Sequence, residues 1–383
     1  MSNNMKKIWY APYKFEAYGQ EEIDEVVSCL NDGWLGGFGE RTVEFENQVA
    51  KIFGKRYGIF VNSGSSACLL AIAALNLPPD SEIVTPACTF STTVAPIIQL
   101  GFVPVFCDVE LTTYVPSVSA IVEKITDNTR AVMIPNLIGN KIDWNNLRAT
   151  LKSLGREDII LIEDSCDTIT HTPESDVSTT SFYASHVITS GGVGGMVMFN
   201  NEEYKKVALQ YRDWGRFGNN SEDISERFNY NIDGIPYDFK FLYSVFGYNL
   251  KCSEMNAAFG LVQLKKLDGF LKTRRKNIER YLENLSDIEE IVLPDDSSIP
   301  NWLALPLQIN KRQEMLTFLE ENNIQTRVTF SGNITRHPAY RKYLCEFKNS
   351  DTIMRNGFLL GAHHGMDLDD VDYVCDKIKE FLA

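Results

Sequence analysis

The sequence predicts an α/β chain: a large domain on a mostly parallel sheet, then a smaller α+β C-terminal domain. Three observations predict it. Short apolar runs alternate with helical patterns from Tyr57 to Glu163, the signature of repeated βαβ units. The chain has 383 residues, which fits one large domain plus a smaller one. Hydrophobic residues make up 44% and charged residues 23%, which suits a globular enzyme and not a disordered chain.

Each element follows from local pattern. Gln20 to Asn31 carries Ile23, Val26, Val27 and Leu30 at helical spacing, and Gly33 stops it. Arg41 to Phe53 repeats the pattern and ends at Gly54, with the loop Trp34-Leu35-Gly36-Gly37 between the two helices. Tyr57 to Val61 reads as a buried strand, Asn62 to Ser66 as a turn, and Ala67 to Leu75 as a nearly all-apolar, buried helix. Strands at Glu82–Pro86, Val103–Val109, Ala131–Pro135 and Asp158–Glu163 then alternate with helices at Ser91–Leu100, Ser117–Ile125 and Asp143–Leu154. Asn201 to Trp214 is a further helix. Arg216 to Tyr243 is long, polar and irregular, a kind of loop that is usually functional or disordered. A long helix runs from Ser253 to about Leu285. The remainder, with an alternating run at Trp302–Leu307 and a helix at Lys311–Asn322, reads as the smaller domain. The division expected is 1–250 and 251–383.

Composition excludes several classes. A net charge of −14 argues against nonspecific nucleic-acid binding, which needs a basic footprint. No apolar run approaches the ~18 residues of a membrane span. Met1 to Lys7 lacks the apolar core of a signal peptide. The 8 cysteines include no CxxC pair, so neither a disulfide framework nor a zinc site is expected. Reduced thiols in a cytoplasmic protein are the expectation.

The polar residues Gly64, Thr89 and Asp164 each fall just after a predicted strand, where ligands of such sheets bind. Gly64-Ser65-Ser66 opens a helix, and the free N–H groups of a helix start hold anions. Thr89-Phe90 offers an aromatic, and Glu163-Asp164 a carboxylate at a strand end. Ser181-Phe182-Tyr183-Ala184-Ser185-His186-Val187-Ile188-Thr189 leads into Gly191, Gly192, Gly194 and Gly195, then Met196 to Phe199. Glycines there make a plain strand a poor reading and a polar turn at the sheet mouth a good one. Each residue taken alone also has an ordinary structural reading: a helix start, a core aromatic, a half-buried histidine. Together they match a pyridoxal phosphate (PLP) site: a phosphate cradle, a stacking ring, an aspartate for the pyridinium nitrogen and a second phosphate serine.

These stretches carry a resemblance. Trp34-Leu35-Gly36-Gly37, Val61 to Ala67, Glu163-Asp164, Ser181-Phe182-Tyr183 and Gly247-Tyr248-Asn249-Leu250 resemble the DegT/StrS-type sugar aminotransferases of PLP fold type I. The resemblance spans nearly the whole chain. It implies a fold-type I PLP-dependent transferase-like fold. It also implies that Gly64, Ser65 and Ser181 hold the cofactor phosphate, that Phe90 stacks on the ring and that Asp164 meets the ring nitrogen. Asn249 is implied to reach the phosphate of a neighbouring subunit, hence a homodimer with shared sites.

The departure from that family is informative. Its Schiff-base lysine lies five residues after the Ser181 position, and here that residue is His186. No lysine occurs from Ser153 to Tyr204. Imidazole cannot replace a primary amine as a covalent anchor, but it moves protons near neutral pH. Histidine in the context Ser-His-x-Ile-Thr, with an acid at Asp167, resembles the B6-dependent 3-dehydratases of 4-keto-6-deoxy nucleotide sugars. The implied cofactor is pyridoxamine phosphate (PMP), held noncovalently and regenerated by an amino donor such as glutamate. Some members ligate an iron–sulfur cluster, but no cysteine lies between Cys166 and Cys252, so none is expected. No metal is assigned to His363 and His364. Arg327, Arg336 and His337 are candidates for sugar or diphosphate contact. A PLP-family protein that has lost catalysis, and less so a 4-aminotransferase, are the alternative readings.

Overall fold

The computed structural model describes residues 6–217, 221–298 and 300–383. Residues 1–5 of the Met1–Lys7 reading and residues 218–220 of the long polar segment lie outside the described residues.

Two helices, α1 (Gln20–Asp32) and α2 (Glu40–Ile52), precede the sheet, and Gly33 ends α1 in the left-handed conformation (φ 78°). The sheet strands are β1 (Tyr57–Val61), β2 (Glu82–Pro86), β3 (Val103–Cys107), β4 (Thr129–Pro135), β5 (Ile160–Ser165), β6 (Val177–Ser181) and β7 (Gly195–Phe199). Between them run α3 (Gly64–Ala73), α4 (Ser91–Gln99), α5 (Val118–Val122) and α6 (Trp144–Ser153). The strand order is β1-β7-β6-β5-β4-β2-β3. All pairings from β6 to β3 are parallel, and only β7 runs against its neighbours β1 and β6. The mostly parallel sheet is as predicted. Side-chain alternation splits its residues between two cores. Val132, Ile134 and Leu161 join one; Ala131, Met133, Ile162, Ile59 and Val61 join the other, under the apolar helix α3.

The next elements are α7 (Glu202–Arg212), α8 (Ile224–Arg227), β8 (Tyr230–Ile232), β9 (Ile235–Tyr237) and α9 (Glu254–Leu285). They are followed by β10 (Ala304–Gln308), α10 (Arg312–Glu321), β11 (Thr326–Val328), α11 (Lys348–Asn356), β12 (Gly357–Gly361) and α12 (Leu368–Leu382). The last three strands form an antiparallel sheet in the order β10-β12-β11. Its Leu305, Leu307, Phe358 and Leu360 share one apolar cluster with Leu161 and Val132 of the large sheet.

Two expectations need correction. The segment 216–243 is not simply irregular: β8 and β9 form a hairpin turned by Asp233-Gly234, both at positive φ (52° and 87°). Asp-Gly between apolar flanks is a strong short-range hairpin signal. The helix α3 also starts at Gly64, three residues before the predicted Ala67, because Ser63 caps it.

Candidate active site

Because β7 opposes both β1 and β6, β1 points the same way as the parallel strands. The C-terminal ends of β1, β2, β4, β5 and β6 therefore open on one edge, the edge at which such sheets bind ligands. Gly64, Phe90, Ile138, Asp167 and His186 all leave the sheet there.

At the end of β1, the Ser63 hydroxyl accepts from the Ser66 N–H at 3.1 Å. The first intrahelical bond is Ala67 N–H to the Ser63 carbonyl at 3.0 Å, so the N–H groups of Gly64 and Ser65 lie ahead of the helical ladder. Only glycine fits position 64: an added Cβ would stand 2.7 Å from both Ser181 Cβ and Cys166 Sγ. Thus Gly64 and Ser181, 117 residues apart, lie against one another. Ser65 Oγ donates to Thr92 Oγ1 at 3.0 Å, tying α3 to the start of α4. Phe90 stands just before α4 with 52% of its surface exposed, edge-on to Phe330 at 6.3 Å.

The carboxylates at the end of β5 divide their work. Glu163 is wholly buried and accepts from Asn136 Nδ2 (2.7 Å), Thr172 Oγ1 (2.6 Å) and Ser178 Oγ (2.7 Å). Three neutral donors stand in for its water, so it is a structural group. Asp164 accepts from Thr93 Oγ1 (2.7 Å), the Cys166 N–H (3.2 Å) and, more weakly, Thr179 Oγ1 (3.4 Å). A carboxylate has about four lone-pair sites, so Asp164 retains capacity for one more donor. Asp167 accepts from the Ile138 N–H at 2.8 Å. Burial, and then the Asp164 charge, push its pKa up to about 7 against that bond.

His186 sits in the turn between β6 and β7, where its N–H donates to the Tyr183 carbonyl at 3.0 Å. The turn is held by Thr189, whose hydroxyl donates to the Phe182 carbonyl (2.8 Å) and accepts from Gly192 (2.9 Å). Glycine is required behind it. Gly194 lies at φ 111°, and a Cβ on Gly195 would stand 2.3 Å from the Ser63 carbonyl group. The imidazole is half-buried, but its Nδ1 is fully enclosed and has no partner among the described residues. Burial lowers its pKa to about 4; the Cys166 carbonyl and Asp164 pull upward, and Arg274 pushes down. The ring is therefore neutral near pH 7 and able to accept a proton.

Asn249 is exposed, on a segment whose Leu250 carbonyl accepts from the Asn62 N–H at 2.9 Å. Of the three further candidates, Arg336 is paired with Asp351 and His337 Nε2 with the Ser331 carbonyl (2.9 Å). Arg327 instead lies over the Tyr10 ring at 5.4 Å. His363 is buried and engaged on both nitrogens: Gly365 N–H donates to Nδ1 (3.2 Å), and the Trp9 carbonyl pairs with Nε2 (3.0 Å). His364 stacks on Phe270 at 3.7 Å. Sequence reasoning missed Thr93, Thr179 and Arg274. The first two carried a faint signal, since hydroxyls on a short polar strand or a helix start are obvious partners for a nearby carboxylate.

His363 yields a stability prediction. Only a neutral ring satisfies both its bonds, and burial lowers its pKa to about 3, against ~6.5 when unfolded. Between those values the unfolded chain binds the extra proton. Stability is therefore present above pH ~6.5 and is lost on acidification, approaching ~1.4 kcal/mol per pH unit. In His363→Gln, the urea-unfolding free energy is expected to vary less steeply between pH 6 and 5 by about one proton. An unchanged slope would refute the assignment.

Comparison with known proteins fits this geometry. Residues 16–379 match the DegT/DnrJ/EryC1/StrS aminotransferase family. The chain is 35% identical to the lipopolysaccharide biosynthesis protein RfbH of Salmonella typhimurium, over 97% of this chain and 92% of that one. It is 36% identical to the dTDP-4-dehydro-2,6-dideoxy-D-glucose 3-dehydratase of Saccharopolyspora spinosa, over 88% of this chain and 79% of that one. A solved GDP-4-keto-6-deoxymannose-3-dehydratase with a trapped PLP-glutamate geminal diamine superimposes with a TM-score of 0.85 at 28% identity, covering 97% of this chain and 99% of that one.

Proposed function

This chain belongs to the DegT/DnrJ/EryC1/StrS aminotransferase family, and on that premise we propose that it is a B6-dependent 3-dehydratase. It removes the C3 hydroxyl from a nucleotide-linked 4-keto-6-deoxyhexose and yields a 3,6-dideoxy-4-keto sugar nucleotide for polysaccharide biosynthesis. One observation carries the reading. The turn after β6 presents a neutral imidazole beside Asp164, in a stretch of 52 residues, Ser153 to Tyr204, without a lysine.

The residues present fit the cofactor. A cradle at Gly64 that a Cβ would fill, an uncovered ring at Phe90 and spare acceptor capacity on Asp164 are what such a group requires. When bound, PMP supplies an amine for the C4 ketone and a protonated ring that draws off electrons. The N–H groups of α3's first turn, with Ser65 and Ser181, hold its phosphate, with Asn249 contributed across subunits. Phe90 covers one ring face. Asp164 keeps the proton on the ring nitrogen, and Asp167 lies beside it as a mostly protonated acid below pH 7. His186 would take the proton from the cofactor carbon that bears the amine and would give one to the departing C3 hydroxide; imidazole is competent in both roles.

The test is a balance of atoms. With PMP, one sugar oxygen is lost and one ammonia released per cofactor oxidised, and glutamate then makes the cycle catalytic. Mass spectrometry should show the sugar lighter by one oxygen with equimolar ammonia. An aminated sugar and no ammonia would identify an aminotransferase instead.

We further propose a homodimer with shared sites. Phe246 is fully exposed, and Ile224, Ile235, Phe241 and Tyr243 are each more than half exposed on the segment before Asn249. Large apolar side chains left this exposed on one segment are what a subunit interface covers. Sedimentation is expected to give a dimer, and Phe246→Asp a dissociated chain with weakened PLP binding. An active monomeric parent would rule it out. We also propose that the cofactor domain spans 1–250 and the small domain 251–383, since each of the two larger sheets lies wholly within one of them. A cytoplasmic location is favoured by eight free cysteines; no described helix is long and apolar enough to cross a membrane.

A further inference from the structure

Of the three arginines on helix α9, Arg274 lies beneath the turn that holds His186. Its side chain is buried at 3% exposure. Buried charges are normally paired, because an uncompensated one is expensive. Arg274 is nevertheless bound only to backbone. Nη1 donates to the Leu303 carbonyl at 2.8 Å and Nη2 to the His186 carbonyl at 3.5 Å, while Nε has no partner among the described residues.

The Leu303 contact continues. The Leu303 N–H donates to the Ile138 carbonyl at 2.6 Å, and the Ile138 N–H donates to Asp167 Oδ2 at 2.8 Å. Ile138 is held at φ 65°, a strained conformation for a β-branched residue. Such strain persists only where the surroundings over-determine it. One guanidinium thus touches the backbone of His186 directly and reaches Asp167 through two backbone links.

We propose that Arg274 is a positioning residue that sets the two acid–base groups of the site, His186 through its carbonyl and Asp167 through Leu303 and Ile138. Its unbalanced charge has a second effect. The imidazole is faced by Asp164 and the Cys166 carbonyl from the end of β5, which favour the charged ring, and by Arg274 from α9, which opposes it. Tyr183, on its own loop, meets it edge-on. Around Arg274 stand Tyr10 from the N-terminal segment and His363 and His364 from before α12. Burial holds Tyr10 protonated and both histidines neutral, so none of them balances the arginine. Burial is the main cause of the neutral imidazole, and Arg274 adds to it against the pull of the Cys166 carbonyl and Asp164.

The inference rests on His186 as the acid–base group of the proposed reaction, so its test begins without cofactor. NMR titration of the histidine rings in the cofactor-free protein, with His186 assigned from His186→Asn, is the readout. Arg274→Met should raise the His186 midpoint measurably, with burial still holding it below that of a free imidazole, and move the acid limb of kcat/KM upward with it. Arg274→Lys keeps the charge but not the two-pronged grip. It should leave the midpoint within a few tenths of the parent while lowering kcat about tenfold with little change in KM. If the methionine variant does not fold, Arg274→Gln replaces it. If neither neutral variant folds, the lysine variant decides: a kcat loss at unchanged midpoint supports the proposal, and parental kcat overturns it. A folded neutral variant with a parental His186 midpoint also overturns it. Shifted titration in a protein with no dehydratase activity would instead uphold Arg274 and refute the reaction.

Discussion

Exchanging His186 for asparagine is expected to cut dehydration by ~10²–10⁴-fold, the contribution typical of a positioned acid–base group. Asparagine fills similar space at the turn and leaves the Tyr183 and Arg274 backbone contacts in place, since both use main-chain atoms of residue 186. PLP binding should therefore persist while turnover on a 4-keto-6-deoxy nucleotide sugar collapses. His186→Lys separates chemistry from placement further. The parent should release PLP on dialysis and give no borohydride-stable adduct, whereas the lysine variant should become covalently labelled at residue 186. It too should lose dehydration, because a lysine bound to the cofactor is no free base and a released one is mostly protonated near pH 7. Near-parental turnover in His186→Asn would remove His186 from the mechanism.

Asp164→Asn is expected to follow closely, with kcat/KM down ~10²–10³-fold, the scale of removing one preorganised electrostatic partner. The amide oxygen can still accept from Thr93, now 2.7 Å from Oδ2, so the fold should hold. What is lost is the negative charge that keeps a proton on the ring nitrogen. Cofactor retention and thermal midpoint should change little beside turnover. Activity within threefold of the parent would mean that the ring nitrogen is held elsewhere.

Most of the fold could be read because the βαβ pattern is periodic and its strands are buried on both faces. β6 was missed for a physical reason. Val177-Ser178-Thr179-Thr180-Ser181 looks like a loop by polarity, yet every residue is buried. Its hydroxyls supply Glu163, Asp164 and the Ser165 carbonyl, so its polarity serves the neighbouring strand and not solvent. The site residues were recognisable as short motifs after strands, because glycine, serine and aspartate at a helix start or strand end carry their chemistry locally. Arg274 carried no such mark. In a long helix an arginine reads as solvated surface, and only the contacts with Leu303 and His186, 29 and 88 residues away, reveal it. The hairpin at Asp233-Gly234 was available from its turn residues and was obscured by the polar, proline-containing segment around it.

The apolar cluster shared by Leu161 and Val132 of the large sheet with Leu305 and Leu360 of the small one bears on how the molecule comes apart. Neither sheet has a private interior on that side. Melting the C-terminal strands strips the floor from β4 and β5, and with it the platform of Asp164. The chain should lose its structure there as one cooperative unit, and a fragment ending before residue 289 would present greasy strands to water and invite aggregation.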